Sequence, residues 1–198
     1  GAMRVLILCP LSVVPAWEKQ FREYGKRDWE VCLLNKGGVD RKSKRARDAI
    51  KTAKAYARPL AIVINYESAR GAAFARIAMN TEWDLLVCDE VHKLKSPKGK
   101  TSKWVANLAA KVRKRLGLSG TPMPHSQMDI FGIFRTLDAT IFGRSFIKFR
   151  KRYAVMGGYG GYEITGYKNT EELRSKMAMI TFQAERGVLD LPDALHET

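Results

Sequence analysis

The sequence predicts an α/β fold built on a mostly parallel central sheet with helices on both faces. Three observations carry that expectation. Short runs such as Val5-Leu6-Ile7-Leu8-Cys9 and Ala61-Ile62-Val63-Ile64 are continuously apolar instead of alternating, as in parallel strands buried on both sides. Helix-length amphipathic intervals separate these runs. Polar and acidic residues stand directly after them, where the carboxyl ends of parallel strands gather ligands.

Taken in order, Val5 to Cys9 forms a strand ended by Pro10, and Ser12 caps a helix through Trp17 and Phe21, with Pro15 in its first turn. Glu30 to Leu34 is the next strand, stopped by Gly37-Gly38. Ser43 to Tyr56 reads as a basic helix broken by Pro59. Ala61 to Asn65 is a strand, followed by a helix through Phe74 and Ile77. Asp84 to Cys88 is a strand, Thr101 to Ala110 a helix and Arg115 to Leu118 a further strand. Ser126 caps a helix whose apolar stripe is Ile130, Ile133, Phe134 and Leu137. Beyond Phe142 come a basic aromatic segment (Phe146 to Tyr153), a Gly/Tyr hairpin or exposed loop at 157–162, and a short helix from Thr170.

A chain of 198 residues is long enough to bury a real core, and no apolar stretch approaches the ~20 residues of a membrane span. Gly1-Ala2, with Met3, reads as a tag-cleavage remnant. Cys9, Cys32 and Cys88 are odd in number and sit in strand-like runs, so they read as buried thiols and suit neither a zinc site nor a disulfide framework. Thirty-five Lys and Arg against 20 Asp and Glu give a net charge of +15, a field that favours polyanions and nucleic acid above all. The charge is clustered. Lys93, Lys95, Lys98, Lys100 and Lys103 open a run free of acids up to Arg115, and a second cluster spans Arg41 to Arg58.

Asp89-Glu90-Val91-His92 closes one apolar strand, and Ser119-Gly120-Thr121 closes the next. Two carboxylates at one strand tip beside a polar turn at its neighbour suit a nucleotide-hydrolysing core, in which the first carboxylate holds Mg²⁺ and the second positions the attacking water. A phosphate-binding loop is missing from the sequence before this pair. Gly99-Lys100-Thr101 does not supply it, because the required glycine at position 94 is Leu94 and the tripeptide follows the acidic strand.

These blocks, in this order, resemble the Swi2/Snf2 family of helicase-like, DNA-dependent ATPases. Residues Val5 to Phe21 look like motif Ia and Ile62 to Glu67 like motif Ib. Asp89 to Lys95 resembles motif II with its basic tail, and Leu118 to Asp129 resembles motif III. Val188-Leu189-Asp190-Leu191-Pro192 is similar to the segment closing the first motor lobe. The resemblance implies a RecA-like lobe at 4–142 and an extension at 143–198 leading to a second lobe. It further implies that Asp89 and Glu90 serve Mg²⁺ and the hydrolytic water, and that His92 links them to Ser119, Gly120 and Thr121. Pro10, Ser12 and Asn65 then face the phosphodiester backbone, with Lys93 to Lys103 tracking the duplex.

The expected function is part of an ATP-driven, double-stranded DNA translocase, with ATP and Mg²⁺ as cofactors of the full motor and none held tightly by this chain. Two other readings stay open: a stand-alone, non-catalytic nucleic-acid-binding or interaction module, and a DExH-type RNA helicase lobe. Expected partners are duplex DNA and a second RecA-like lobe, the chain itself being monomeric and away from membranes. Compact motif spacing points to a cytoplasmic prokaryotic or viral protein, or a nuclear one in a eukaryote.

Overall fold

The computed structural model describes residues 3–120 and 126–182. Five parallel strands form the central sheet: β1 (Arg4–Cys9), β2 (Glu30–Leu33), β3 (Leu60–Asn65), β4 (Leu85–Asp89) and β5 (Lys114–Leu118), in the order β2-β3-β1-β4-β5. This is the mostly parallel sheet of a RecA-like α/β fold. Register places Cys9 opposite Asn65 and Asp89 opposite Leu118. Because every strand runs the same way, all their carboxyl tips fall along one edge.

Side-chain alternation splits the core in two. Val5, Ile7, Cys9, Val63 and Val87 point to one face, which α1 (Ala16–Tyr24) covers with Trp17 and Phe21, backed by Trp29. Leu6, Leu8, Ile62, Ile64, Leu86 and Cys88 point to the other. There they meet α2 (Val39–Ala55), α3 (Tyr66–Ala69), α4 (Ala72–Asn80), α5 (Lys100–Ala109) and α6 (Ile130–Leu137). Each buried Leu or Ile contributes about 1.5–3 kcal/mol, so this thicker layer dominates stability. Cys9, Cys32 and Cys88 are buried free thiols.

After α6 come α7 (Ala139–Phe142) and α8 (Phe146–Tyr153), then the antiparallel hairpin of β6 (Ala154–Gly157) and β7 (Glu163–Tyr167), and α9 (Thr170–Ala178). Rings of Phe131, Phe142, Phe146, Phe149 and Tyr153 pack edge to face or tilted and tie α8 to α6. Glu172 of α9 accepts hydrogen bonds from Arg152 and from the Tyr153 hydroxyl, and pairs with Lys176.

Three expectations need correction. Ser12 caps no helix: it lies exposed in a 3-10 turn (Leu11–Val13), and Pro15 takes the N-cap position of α1 without a side-chain bond. The basic helix begins at Val39, four residues before Ser43, because Gly38 turns the chain in extended geometry and Asp40 favours the first turn. Nor is the sheet covered throughout. In β5, Leu116 is 45% and Leu118 37% exposed, and among the described residues no strand pairs with the outer edge of β5. No helix among the described residues is long and apolar enough to cross a membrane.

Candidate functional site

The carboxyl edge of the sheet gathers Pro10, Asn65, Asp89 and Ser119 at the tips of β1, β3, β4 and β5. Asp89 is the last residue of β4, and its Oδ1 accepts the Glu90 N–H at 3.0 Å. Glu90 then turns the chain in left-handed geometry, φ 50° and ψ 54°, into the 3-10 turn Val91–Leu94. That conformation costs a non-glycine residue of order 1 kcal/mol or more, and strain of this kind collects at functional turns. Both carboxylates are half-buried.

His92 joins the two neighbouring tips. Its Nδ1 lies 3.1 Å from Glu90 Oε2 and 3.5 Å from Ser119 Oγ, the outer limit of a hydrogen bond. One ring nitrogen therefore faces a carboxylate on the acidic turn and a hydroxyl on the next strand's turn. Gly120 is exposed at the end of this stretch; Thr121 lies outside the described residues, as do the 183–186 segment and Val188 to Pro192.

The residues present suit a hard divalent cation. Mg²⁺ binds through one or two carboxylates and otherwise keeps water or phosphate oxygens, whereas a structural zinc site needs four protein ligands. Asp89 and Glu90 supply such a pair, and among the described residues no group of three or more His, Cys, Asp or Glu side chains is arranged to enclose an ion.

The expected nucleic-acid residues separate into exposed and engaged ones. Ser12, Lys93, Lys98, Lys100 and Lys103 are exposed, and Pro10 is half-buried. Lys95 sits 3.9 Å from Asp129. Asn65 is only 6% exposed, its Nδ2 donating to Glu67 Oε2 at 2.9 Å. Its amide nitrogen is thus engaged within the protein, while its Oδ1 is buried without a hydrogen-bond partner among the described residues. The Asn65 bond, then a hydrogen bond from the Glu67 backbone, then Lys93 and Arg70, hold the Glu67 carboxyl below its usual range. Lys42, within the second basic cluster, is buried and donates to Ser68 Oγ at 2.8 Å, tying α2 to α3.

Two residues escaped the sequence reading. Tyr66, after Asn65, is buried and donates from its hydroxyl to the Asp89 carbonyl at 2.8 Å. Gly132 lies inside α6 where any Cβ would strike the turn after the acidic pair. A glycine in the middle of an apolar helix, where alanine is favoured by about 0.5–1 kcal/mol, was the available signal for Gly132; Tyr66 offered none beyond its place after a strand tip.

Comparison with known proteins addresses the family and the fold. The family model for the SNF2-related domain matches residues 2–184. A DNA repair and recombination protein RAD54-like of Drosophila mojavensis is 31% identical over 144 residues, covering 71% of this chain and 17% of that protein. The DNA repair and recombination protein RDH54 of Saccharomyces cerevisiae is 25% identical over 154 residues, 77% of this chain and 16% of that protein. The chain thus spans less than a fifth of these relatives. A Sulfolobus solfataricus SWI2/SNF2 ATPase core, solved in complex with dsDNA, superposes with a TM-score of 0.63 at 23% identity, over 89% of this chain and 32% of that one. The matched fold, the order of the strand-tip blocks and the near-complete coverage by the family model agree, and the chain belongs to the SNF2-related domain family.

Proposed function

We propose that this chain is the first lobe of an ATP-driven motor that acts on double-stranded DNA, and that alone it binds nucleic acid without turning over ATP. The observation that carries the reading is the meeting of Glu90, His92 and Ser119 through one imidazole nitrogen at the edge where the strand tips gather. Asp89 and Glu90 would hold Mg²⁺ directly or through water, and the ion when bound neutralises charge on the phosphates. Glu90 accepts the proton of the attacking water, and His92 holds that carboxylate while sensing Ser119. Gly120 and Thr121, next in sequence after Ser119, would pass the nucleotide state onward.

The expected inactivity rests on the reading that this chain carries neither a phosphate-binding loop nor a second lobe. Phosphoryl transfer relies on a phosphate-cradling loop with its lysine and on an arginine from outside, besides the metal. On this reading the outer edge of β5 would receive the loop: a parallel strand laid there would end beside Ser119, one strand from Asp89. The apolar cavity along that edge, about 740 Å³ and lined by Leu116, Leu118, Ile133, Leu137 and Phe182, has the character of a strand-sized gap. The relatives are far longer than this chain, which leaves room for both this strand and a second lobe. Relatives whose names concern DNA repair and recombination, and a fold neighbour solved with dsDNA, favour duplex DNA as the partner.

The test is binding of this chain to duplex DNA, single-stranded DNA and duplex RNA across a salt series, with an ATPase assay in parallel. Preference for duplex DNA with a steep log-log salt slope supports the reading. Preference for duplex RNA favours an RNA helicase lobe. Equal affinity for all three leaves only generic charge attraction, and robust DNA-stimulated hydrolysis by the pure chain sinks the claim of inactivity.

A further inference from the structure

The peptide unit between Asp89 and Glu90 is held at both ends. Its N–H donates to Asp89 Oδ1 at 3.0 Å, and its carbonyl accepts from Tyr66 Oη at 2.8 Å. Tyr66 is 1% exposed and reaches from the tip of β3 past β1 to the tip of β4. A phenol is protonated near neutral pH, and facing a carbonyl its hydroxyl can only donate. Immediately after this peptide the backbone adopts the left-handed geometry of Glu90, which needs an outside restraint to persist. On the other side of Tyr66, Asn65 and Glu67 close a turn through their own hydrogen bond, on the edge assigned to nucleic acid.

We propose that Tyr66 is a positioning residue: its hydroxyl fixes the Asp89–Glu90 peptide, aims the two carboxylates, and transmits displacement of the Asn65–Glu67 turn to them. The inference rests on the proposed function for the identity of the two sites, but the restraint itself is a property of this chain. Such coupling can travel through a contiguous physical link, and here the hydrogen bond from buried Tyr66 to half-buried Asp89 provides one. Phe in place of Tyr keeps the ring that fills the core and removes the hydroxyl, with its bond to the Asp89 carbonyl and its contact with the Cys88 thiol, leaving a carbonyl under-satisfied.

The experiment compares the chain with its Tyr66→Phe variant, both ¹⁵N-labelled. The first readout needs no DNA. Amide hydrogen exchange at Glu90 should speed up at least tenfold in Tyr66→Phe, and Mn²⁺, used as the metal probe at the acidic pair, should bind several-fold more weakly. The second is titration with a short DNA duplex. Shifts at Glu67 and Ser68 should persist in the variant with affinity within about twofold, while shifts at Glu90 and Val91 fall by more than half. Unchanged Glu90 exchange and Mn²⁺ affinity overturn the positioning role whether or not DNA binds. Undiminished DNA-induced shifts at Glu90 overturn the transmission. A chain that binds no DNA refutes the proposed function and the transmission with it, and the first readout still decides the restraint. If Tyr66→Phe fails to fold, Glu67→Gln takes its place: it must move the Glu90 and Val91 resonances, and their silence overturns the transmission.

Discussion

Gly132 of α6 lies against the carbonyls of Leu94 and Lys95, so closely that a Cβ would overlap the Leu94 oxygen and sit 2.6 Å from that of Lys95. This contact seats the turn carrying His92 on the apolar helix behind it. Gly132→Ala gains helix propensity of about 0.5–1 kcal/mol but must push a backbone aside, and the clash wins. The expected outcome is a net loss of about 1–3 kcal/mol in urea unfolding, with the His92 ring resonances displaced. A variant more stable than the parent would show that the turn yields freely.

Glu90 offers a separation of stability from chemistry. At φ 50° glycine is at ease and alanine is not. Glu90→Gly should therefore be more stable than Glu90→Ala by about 1 kcal/mol, while both lose the same share of Mn²⁺ affinity. Thermal unfolding of the pair decides the first point. Equal stability would mean that the turn leaves its left-handed geometry in solution.

Among the basic residues, exposure predicts two different outcomes. Replacing Lys98, Lys100 and Lys103 together by Gln should weaken DNA binding and lower the log-log salt slope by up to about 0.9 for each phosphate contact removed. Lys42→Met should leave that slope unchanged and lower stability, because the Lys42 ammonium is spent on Ser68. A salt slope that responds to Lys42 but not to the other three would reverse the assignment of the contact surface.

Glu172 gives a pH signature. Hydrogen bonds from Arg152 first, then Lys176 and Tyr153, pull its carboxyl down from 4.5 to about 2. A folded-state value below the unfolded one means that the unfolded chain takes up the proton first, so stability rises with pH through this window. The contribution is complete above about pH 4.5 and lost as the pH falls toward 2. Glu172→Gln should accordingly narrow its stability deficit against the parent across that interval, followed by tryptophan fluorescence under urea. A constant deficit would assign the cluster to packing alone.

The strands and their tips were legible because a buried parallel strand declares itself by unbroken hydrophobicity, as Leu60 to Ile64 does. For the same reason the sequence alone places Asp89, Glu90 and Ser119 on one edge. What stayed hidden depends on neighbours distant in sequence. Nothing local says that Lys42 turns inward to Ser68, 26 residues away, or that Asn65 spends its amide on Glu67. Ser12 misled because a serine near a helix start is a common cap, yet Pro15 and a 3-10 turn set the actual entry. The Asp89 carbonyl needs a partner from 23 residues upstream, and only the fold reveals which side chain arrives.

The outer edge of β5 has a further consequence for the chain in a test tube. Among the described residues no strand covers that edge, and backbone groups flanked by Leu116 and Leu118 are there a template for edge-to-edge pairing between copies. Lys114 and Arg115 stand exposed on that same strand, and the chain carries +15 overall, so copies repel one another before their edges can meet. Colloidal stability should then run opposite to the usual salting-in of proteins: high in dilute buffer, and falling as ions shorten the reach of that repulsion.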